Sequence, residues 1–190
     1  MLARWLHLYV SLISFGVVFF FSITGLTLNH PTWLGGSQQV TKESHGELNR
    51  DWLPADASRL SKLEIVEHLR GVDGARGAVK EFTADDFQIV IGFRAPGYSA
   101  DAFIDRETAK YQLVQTSFGL IAVLNDLHKG RDSGYVWSIL IDISAIVLVI
   151  VSLTGFWLLF YIRRRRMSGV VVSIIGVLVV LSIYLAFVPR

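Results

Sequence analysis

The chain has 190 residues, of which 52% are hydrophobic and 18% charged, and its mean hydropathy is +0.48. That balance excludes an ordinary soluble domain of this size, which has too little interior to hide so much apolar surface. The absence of cysteine excludes structural disulfides, thiolate metal sites, iron–sulfur ligation by cysteine and cysteine nucleophiles, and the formal charge of +2 gains meaning only from its distribution.

Charged residues are missing in three places. Arg4 is followed by no Asp, Glu, Lys or Arg until Lys42, and the gap holds LHLYVSLISFGVVFFFSITGLTL over residues 6–28. As a helix this stretch is roughly 34 Å long, enough for a hydrocarbon core. Residues 1–30 therefore read as a first transmembrane helix. Its apolar run is too long for a typical cleaved signal and no Ala-x-Ala site follows it, so an uncleaved signal anchor is the simpler reading. Uncharged, Val/Ile/Leu-rich stretches at 143–162 and 167–189 place a second span at 135–162 and a third at 168–189.

Residues 31–110 lie between the first two strong spans. Pro31, Gly35, Gly36, Ser37 and Pro54 mark 30–57 as a loop. Ser61 with Glu64 three positions later forms a capping-box pattern, and KLEIVEHLR predicts a helix ending near Gly71, with Leu63, Val66 and Leu69 on its buried face. Strands are predicted at 78–83, 87–93 and 99–104, with a further one at 111–114. Hairpin turns fall at Asp85–Asp86 and at 95–97. The fold class is an α-helical integral membrane protein with a small α+β extracytoplasmic domain, in which one helix packs on an antiparallel sheet.

Residues 111–134 are less decided. Leu120, Leu124 and Leu127, joined by Val123, make an amphipathic helix that would lie along the membrane surface. A short fourth span over 111–125 is the competing reading, although it would reach only roughly 22 Å.

The basic residues choose between these topologies. Arg163, Arg164, Arg165 and Arg166 follow the second strong span in the loop 163–167, and by the positive-inside rule that loop is cytoplasmic. Arg4 puts the N-terminus inside as well. Three spans then leave 30–134 outside, which in a Gram-negative bacterium means the inner membrane with a periplasmic middle domain. Between Lys42 and Lys110 there are ten basic and thirteen acidic residues, a formal charge of −3. The excess of positive charge is thus membrane-associated. It points to contact with the lipid bilayer and away from nucleic acid.

Little in the middle domain carries chemistry. It contains no nucleophile triad, phosphate-binding glycine loop or paired catalytic carboxylates, and no catalytic residue is assigned. Asp101, Asp105 and Glu107 read as a solvated acidic turn. In the spans, Gly16, Gly25, Gly155 and Gly176 read as helix-packing positions, and the dipeptides Thr24–Gly25 and Thr154–Gly155 repeat the same wording in spans one and two. Asp142 near a span end needs water or a partner, with Arg131 the nearest cation in sequence. Trp5, Trp33, Trp137, Trp157 and Tyr161 fit interfacial belts.

The order of elements and their wording resemble the PepSY-associated transmembrane family. WLHLYVSLISF and ITGLTLNHP bracket the first helix, the middle domain with FIDRETAKY looks like a PepSY module, and LHKGRDSGYVWSILIDISAIVLVIVSLTGFWL over 127–158 is the strongest match. The resemblance covers nearly the whole chain, which looks like a short member related to inner-membrane ferrisiderophore reductases. It implies a subunit or accessory of periplasmic one-electron transfer, with noncovalent haem b reducing a ferric siderophore or serving iron uptake. The implied partners are a membrane or periplasmic redox protein or a siderophore-uptake component, and an oligomer is left open. It also implies a rival class, a noncatalytic membrane-anchored protein that binds, assembles or regulates a partner through its PepSY-like domain.

Given that resemblance, the histidines are the cofactor candidates, since neutral imidazole is an ordinary axial ligand of haem iron. Five occur: His7, His30, His45, His68 and His128. In the three-span topology His30 and His128 share the outer boundary and form the first pair for haem iron. His7 is the alternative, matching the family's membrane histidine; in a four-span topology it would pair with His128 at the inner face. The competing reading makes all three headgroup-level residues, with His30 ending its helix before Pro31.

Overall fold

The computed structural model describes residues 2–36, 38–54, 56–161 and 166–189. Three helices in it are long and apolar enough to cross a membrane. They are α1 (Leu2–Asn29), α4 (Tyr135–Leu159) and α5 (Arg166–Phe187), with hydropathies of 2.0, 2.5 and 2.9 over their apolar segments. The chain divides into two compact units. One comprises Met1–Phe19 and Asp142–Arg190, and the other Phe20–Ile141.

The described residues of the first unit are helical apart from the turn at Phe160 and Tyr161 and the last two, Val188 and Pro189. The side chains of α5 lie outside any core, as expected of a helix solvated by lipid. Gly169 sits so close to Leu159 that a Cβ there would overlap the leucine side chain, so the glycine sets how near the two helices pass. Arg163, Arg164 and Arg165, on which the predicted cytoplasmic loop rests, lie outside the described residues. Arg166 opens α5.

The second unit is built on a five-stranded antiparallel sheet in the order β1-β5-β4-β3-β2, from β1 (Gln39–Glu47), β2 (Ala78–Ala84), β3 (Gln88–Ala95), β4 (Tyr98–Asp105) and β5 (Lys110–Phe118). Helix α2 (Lys62–Asp73) covers one face with Ile65, Val66 and Leu69. Across the sheet, large residues face small ones: Ile91 pairs with Ala102 and Phe93 with Ala100, while Ala102 also pairs with Leu113. All of these are fully buried, and the alternation along β4 keeps Tyr98, Ala100, Ala102 and Ile104 inward. Tyr111 lies over Gly46, its partner in β1, where any Cβ would overlap the ring. From there its hydroxyl donates to Asp73 Oδ2 at 2.7 Å. Burial and the nearby Asp73 carboxylate push the Tyr111 phenol up to about 12.

Several expectations need correction. The region 30–57 is not all loop, because β1 occupies Gln39–Glu47 as an edge strand. Its residues are mostly exposed, so the sequence carries no inward-facing apolar alternation to reveal it. Helix α2 runs two residues past Gly71 to Asp73 and is closed by Gly74 at φ 76°. Ser61 makes no side-chain cap bond, and Leu63 is exposed while Ile65 is buried.

The segment 111–134 also divides differently. Tyr111, Leu113 and Gln115 alternate inward along β5, which is paired on both sides, and Gly119 in an extended conformation ends the strand. Helix α3 (Leu120–Lys129) follows. Its ten residues reach about 15 Å, too short to cross a bilayer, so the fourth-span alternative falls. Leu120, expected on its apolar face, is 71% exposed, and the buried face is Ile121, Asn125 and Asp126.

Candidate functional site

Helix α3 ends at Gly130, whose φ of 69° lets its N–H reach the carbonyls of Asp126 and Leu127. This fixes the last turn, and three of its side chains are spoken for. Asn125 Oδ1 accepts from Thr27 Oγ1 at 2.8 Å. Asp126 Oδ2 accepts from the Gly97 N–H at 2.9 Å, and its Oδ1 takes Arg131 at 2.5 Å. His128 Nδ1 lies 2.6 Å from Thr24 Oγ1. Thus α3 is tied to α1 by Asn125 and His128, and to the β3–β4 turn by Asp126. Gly97 is required in that turn by its φ of 64° and by Val123, which any Cβ would overlap.

The Thr24 contact engages Nδ1 of His128 and leaves Nε2 outside it. The one hydrogen of the threonine hydroxyl goes either to the carbonyl of Phe20, 2.7 Å away, or to the ring. In the first arrangement Nδ1 carries the imidazole proton and Nε2 keeps its lone pair; in the second the roles are exchanged. The ring meets Phe21 edge-on at 5.1 Å, and a Cβ on Gly25 would stand 3.5 Å from Cε1, in contact without overlap. Phe20 packs against Trp137 at 6.0 Å, and Trp137 Nε1 donates to the carbonyl of Leu127 at 2.8 Å. The imidazole thus meets one aromatic ring edge-on and is anchored at one nitrogen.

In the first unit His7 has the same local setting. Its Nδ1 is 3.1 Å from Thr154 Oγ1, which also lies 2.8 Å from the carbonyl of Ile150. A Cβ on Gly155 would stand 3.1 Å from His7 Cε1, so glycine is what admits the ring. The Thr24–Gly25 and Thr154–Gly155 dipeptides are therefore histidine seats. Sequence reasoning noticed the repeat and assigned it to helix packing; the two threonines are functional candidates it missed.

The remaining histidines differ. His30 stacks face to face on Trp33, with centroids 3.9 Å apart and planes at 4°. Its backbone N–H bonds to the carbonyls of Leu26 and Thr27, which closes α1 ahead of Pro31. His45 pairs with Glu43 at 3.0 Å on the exposed face of β1, and His68 lies between the rings of Trp52 and Tyr111. His30 and His128 thus rest against different neighbours, although both belong to the second unit. Arg131, expected beside Asp142, is taken by Asp126. The acidic turn is structural: Asp101 pairs with Arg94 at 2.7 Å, and Asp105 accepts from both the Thr108 N–H and its hydroxyl. Those bonds hold the Asp105 carboxyl below its ordinary value. Among the described residues there is no group of three or more His, Cys, Asp or Glu able to hold a metal ion.

A haem would use a neutral imidazole whose other nitrogen is fixed by an outer partner. His128, whose Nδ1 is held by Thr24, fits that requirement in the tautomer that carries the proton on Nδ1. His30 makes no side-chain hydrogen bond among the described residues, so both of its nitrogens are open to a ligand.

Apolar helices of spanning length, together with a folded α+β unit between the first two, define an integral membrane protein with a sheet domain inserted in its helical part. The chain belongs to the PepSY_TM_like_2 family, described as "Putative PepSY_TM-like", which it matches over residues 1–189. No curated protein and no solved structure matches it.

Proposed function

We propose that this protein is an inner-membrane subunit or accessory of periplasmic one-electron transfer, with noncovalent haem b held by His128. His30 is the second ligand in this reading and His7 the alternative. The observation that carries it is the Thr24–His128 contact, which holds the ring by Nδ1 and leaves Nε2 outside that contact beside a membrane helix. When bound, haem supplies reversible one-electron iron chemistry.

The chain's own residues do the rest. Thr24 fixes the ring's rotation. Phe21 covers one edge of the ring. Asn125 and Asp126 hold α3 in place, so the imidazole is positioned by a rigid element. The family resemblance supplies the acceptor class: a ferric siderophore or another periplasmic redox protein. The four arginines and Arg4 support an inside N-terminus, which puts the PepSY-like sheet domain in the periplasm.

A second reading is a noncatalytic, membrane-anchored protein whose sheet domain binds or regulates a partner. It is favoured by the way α3 joins the β3–β4 turn to α1, since a load on the sheet would reach the membrane helix through Asp126 and Asn125. The reduced-minus-oxidised absorption spectrum of native membranes separates the two. A b-type band that disappears in His128→Ala, with normal membrane insertion, supports electron transfer; a spectrum without haem in the wild type leaves the partner-binding reading.

A further inference from the structure

Asp142 is left over once Arg131 is taken by Asp126. Among the described residues no hydrogen bond or ion pair reaches its carboxylate. Its place in α4 makes that costly. Trp137 and Trp157, the residues expected at the two interfaces, are separated by roughly 30 Å along the helix, which is the thickness of a hydrocarbon core. Asp142 follows Trp137 by roughly 7 Å of helical rise, so it lies inside that boundary. Its single methylene is too short to carry the carboxylate back to the headgroups, as the longer stems of Lys and Arg can do.

The face that carries it is uncovered. Ser144, on the opposite side of the helix, is 4% exposed. Ser138, Ile139, Ala145, Ile146 and Val149, all within two turns of Asp142 on its own side, are exposed. Lipid tails solvate the apolar members of that face but not an ionised carboxylate, which needs a counter-charge. This chain has none to give at that depth. Residues 5–41, 132–162 and 167–189 contain no Lys or Arg, and His7 sits beside Thr154, more than three turns further along α4. A second copy would bring another carboxylate to the same level. We propose that the Asp142 face of α4 docks a spanning helix of a different membrane protein, and that this helix carries a Lys or Arg level with Asp142. Ile139, Ile146 and Val149 supply the apolar contact, and the small Ser138 and Ala145 let the two backbones approach. The contact involves no haem and does not rest on the electron-transfer reading.

The test uses the full chain in phosphatidylcholine nanodiscs, with a donor fluorophore on Lys42→Cys and acceptor-labelled spanning peptides of about 20 Leu and Ala residues between Trp flanks. One peptide carries a single Lys about five residues inside a flank, one carries Glu there, and one carries only Leu. By energy transfer the Lys peptide is expected to associate about tenfold more tightly than the Leu peptide. Asp142→Leu is expected to abolish that preference and Asp142→Glu to keep it, while Asp142→Lys transfers it to the Glu peptide. Equal affinity for the Lys and Leu peptides, or a preference that survives Asp142→Leu, overturns the proposal. So does energy transfer between two labelled copies of the chain that Asp142→Leu removes, since the occupant would then be a second copy. An Asp142→Cys thiol that reacts with an impermeant maleimide as fast as Lys42→Cys would place the position in water and overturn it as well.

Discussion

His128 Nδ1 lies 2.6 Å from Thr24 Oγ1, which is also 2.7 Å from the carbonyl of Phe20. One threonine thereby holds an imidazole more than a hundred residues away in sequence. Thr24→Val keeps the shape and removes the hydroxyl, which leaves Nδ1 without its partner. The expected cost is about 1–3 kcal/mol of stability, read by thermal unfolding in detergent or nanodiscs. The same variant is expected to shift the balance of His128 tautomers by 15N NMR. An unchanged balance would mean that something other than Thr24 sets it.

Asp126 is the other fixed point of α3. It is buried and accepts from the Gly97 N–H as well as from Arg131. Asp126→Ala is expected to destabilise the second unit by about 1–3 kcal/mol, most of it from the lost bond to the turn, because Arg131 is largely exposed. Hydrogen exchange gives the local readout: the Gly97 amide should lose protection, while amides of Ile91 and Leu113 in the sheet centre change little.

Tyr111 predicts an alkaline signature. Its folded-state value of about 12 lies above the ordinary value near 10. A raised value means that the neutral phenol is favoured by folding. The contribution is complete below pH 10 and is lost as pH rises toward 12. Stability of the wild type should therefore fall across that window, and Tyr111→Phe should flatten the fall attributable to this group. Urea unfolding followed by tryptophan fluorescence at pH 9, 10 and 11 measures it. A slope equal in both proteins would place the titrating group elsewhere.

Orientation is open to a clean labelling experiment because the chain contains no cysteine. Lys42→Cys on exposed β1 and Ser168→Cys at the start of α5 each introduce a single thiol. In the proposed topology an impermeant maleimide labels the first in intact spheroplasts and the second only after permeabilisation. The reverse pattern would invert the protein in its membrane.

The legibility of this molecule followed the strength of its periodic signals. The helices α1, α4 and α5 announce themselves through long uncharged runs, and β3 through FQIVIGF. Edge strand β1 was hidden because most of its side chains face water and impose no alternation. Residues 111–127 misled because a paired, buried strand and an amphipathic helix share one continuous apolar stretch, divided only at Gly119. At the site, the histidines could be picked by their places beside apolar runs, but their partners could not. Thr24 and Thr154 lie 104 and 147 residues from the rings they hold, and only the repeated Thr-Gly wording hinted at them.

Haem ligation by His128 is tested by the haem content per chain of protein purified from its native membrane. By pyridine haemochromogen assay the account predicts about one b-type haem per chain in the wild type, less than about a tenth of that in His128→Ala, and wild-type content in His45→Ala, whose ring lies on the exposed sheet edge. Wild-type protein without haem, or His128→Ala that retains it in full, would contradict the claim.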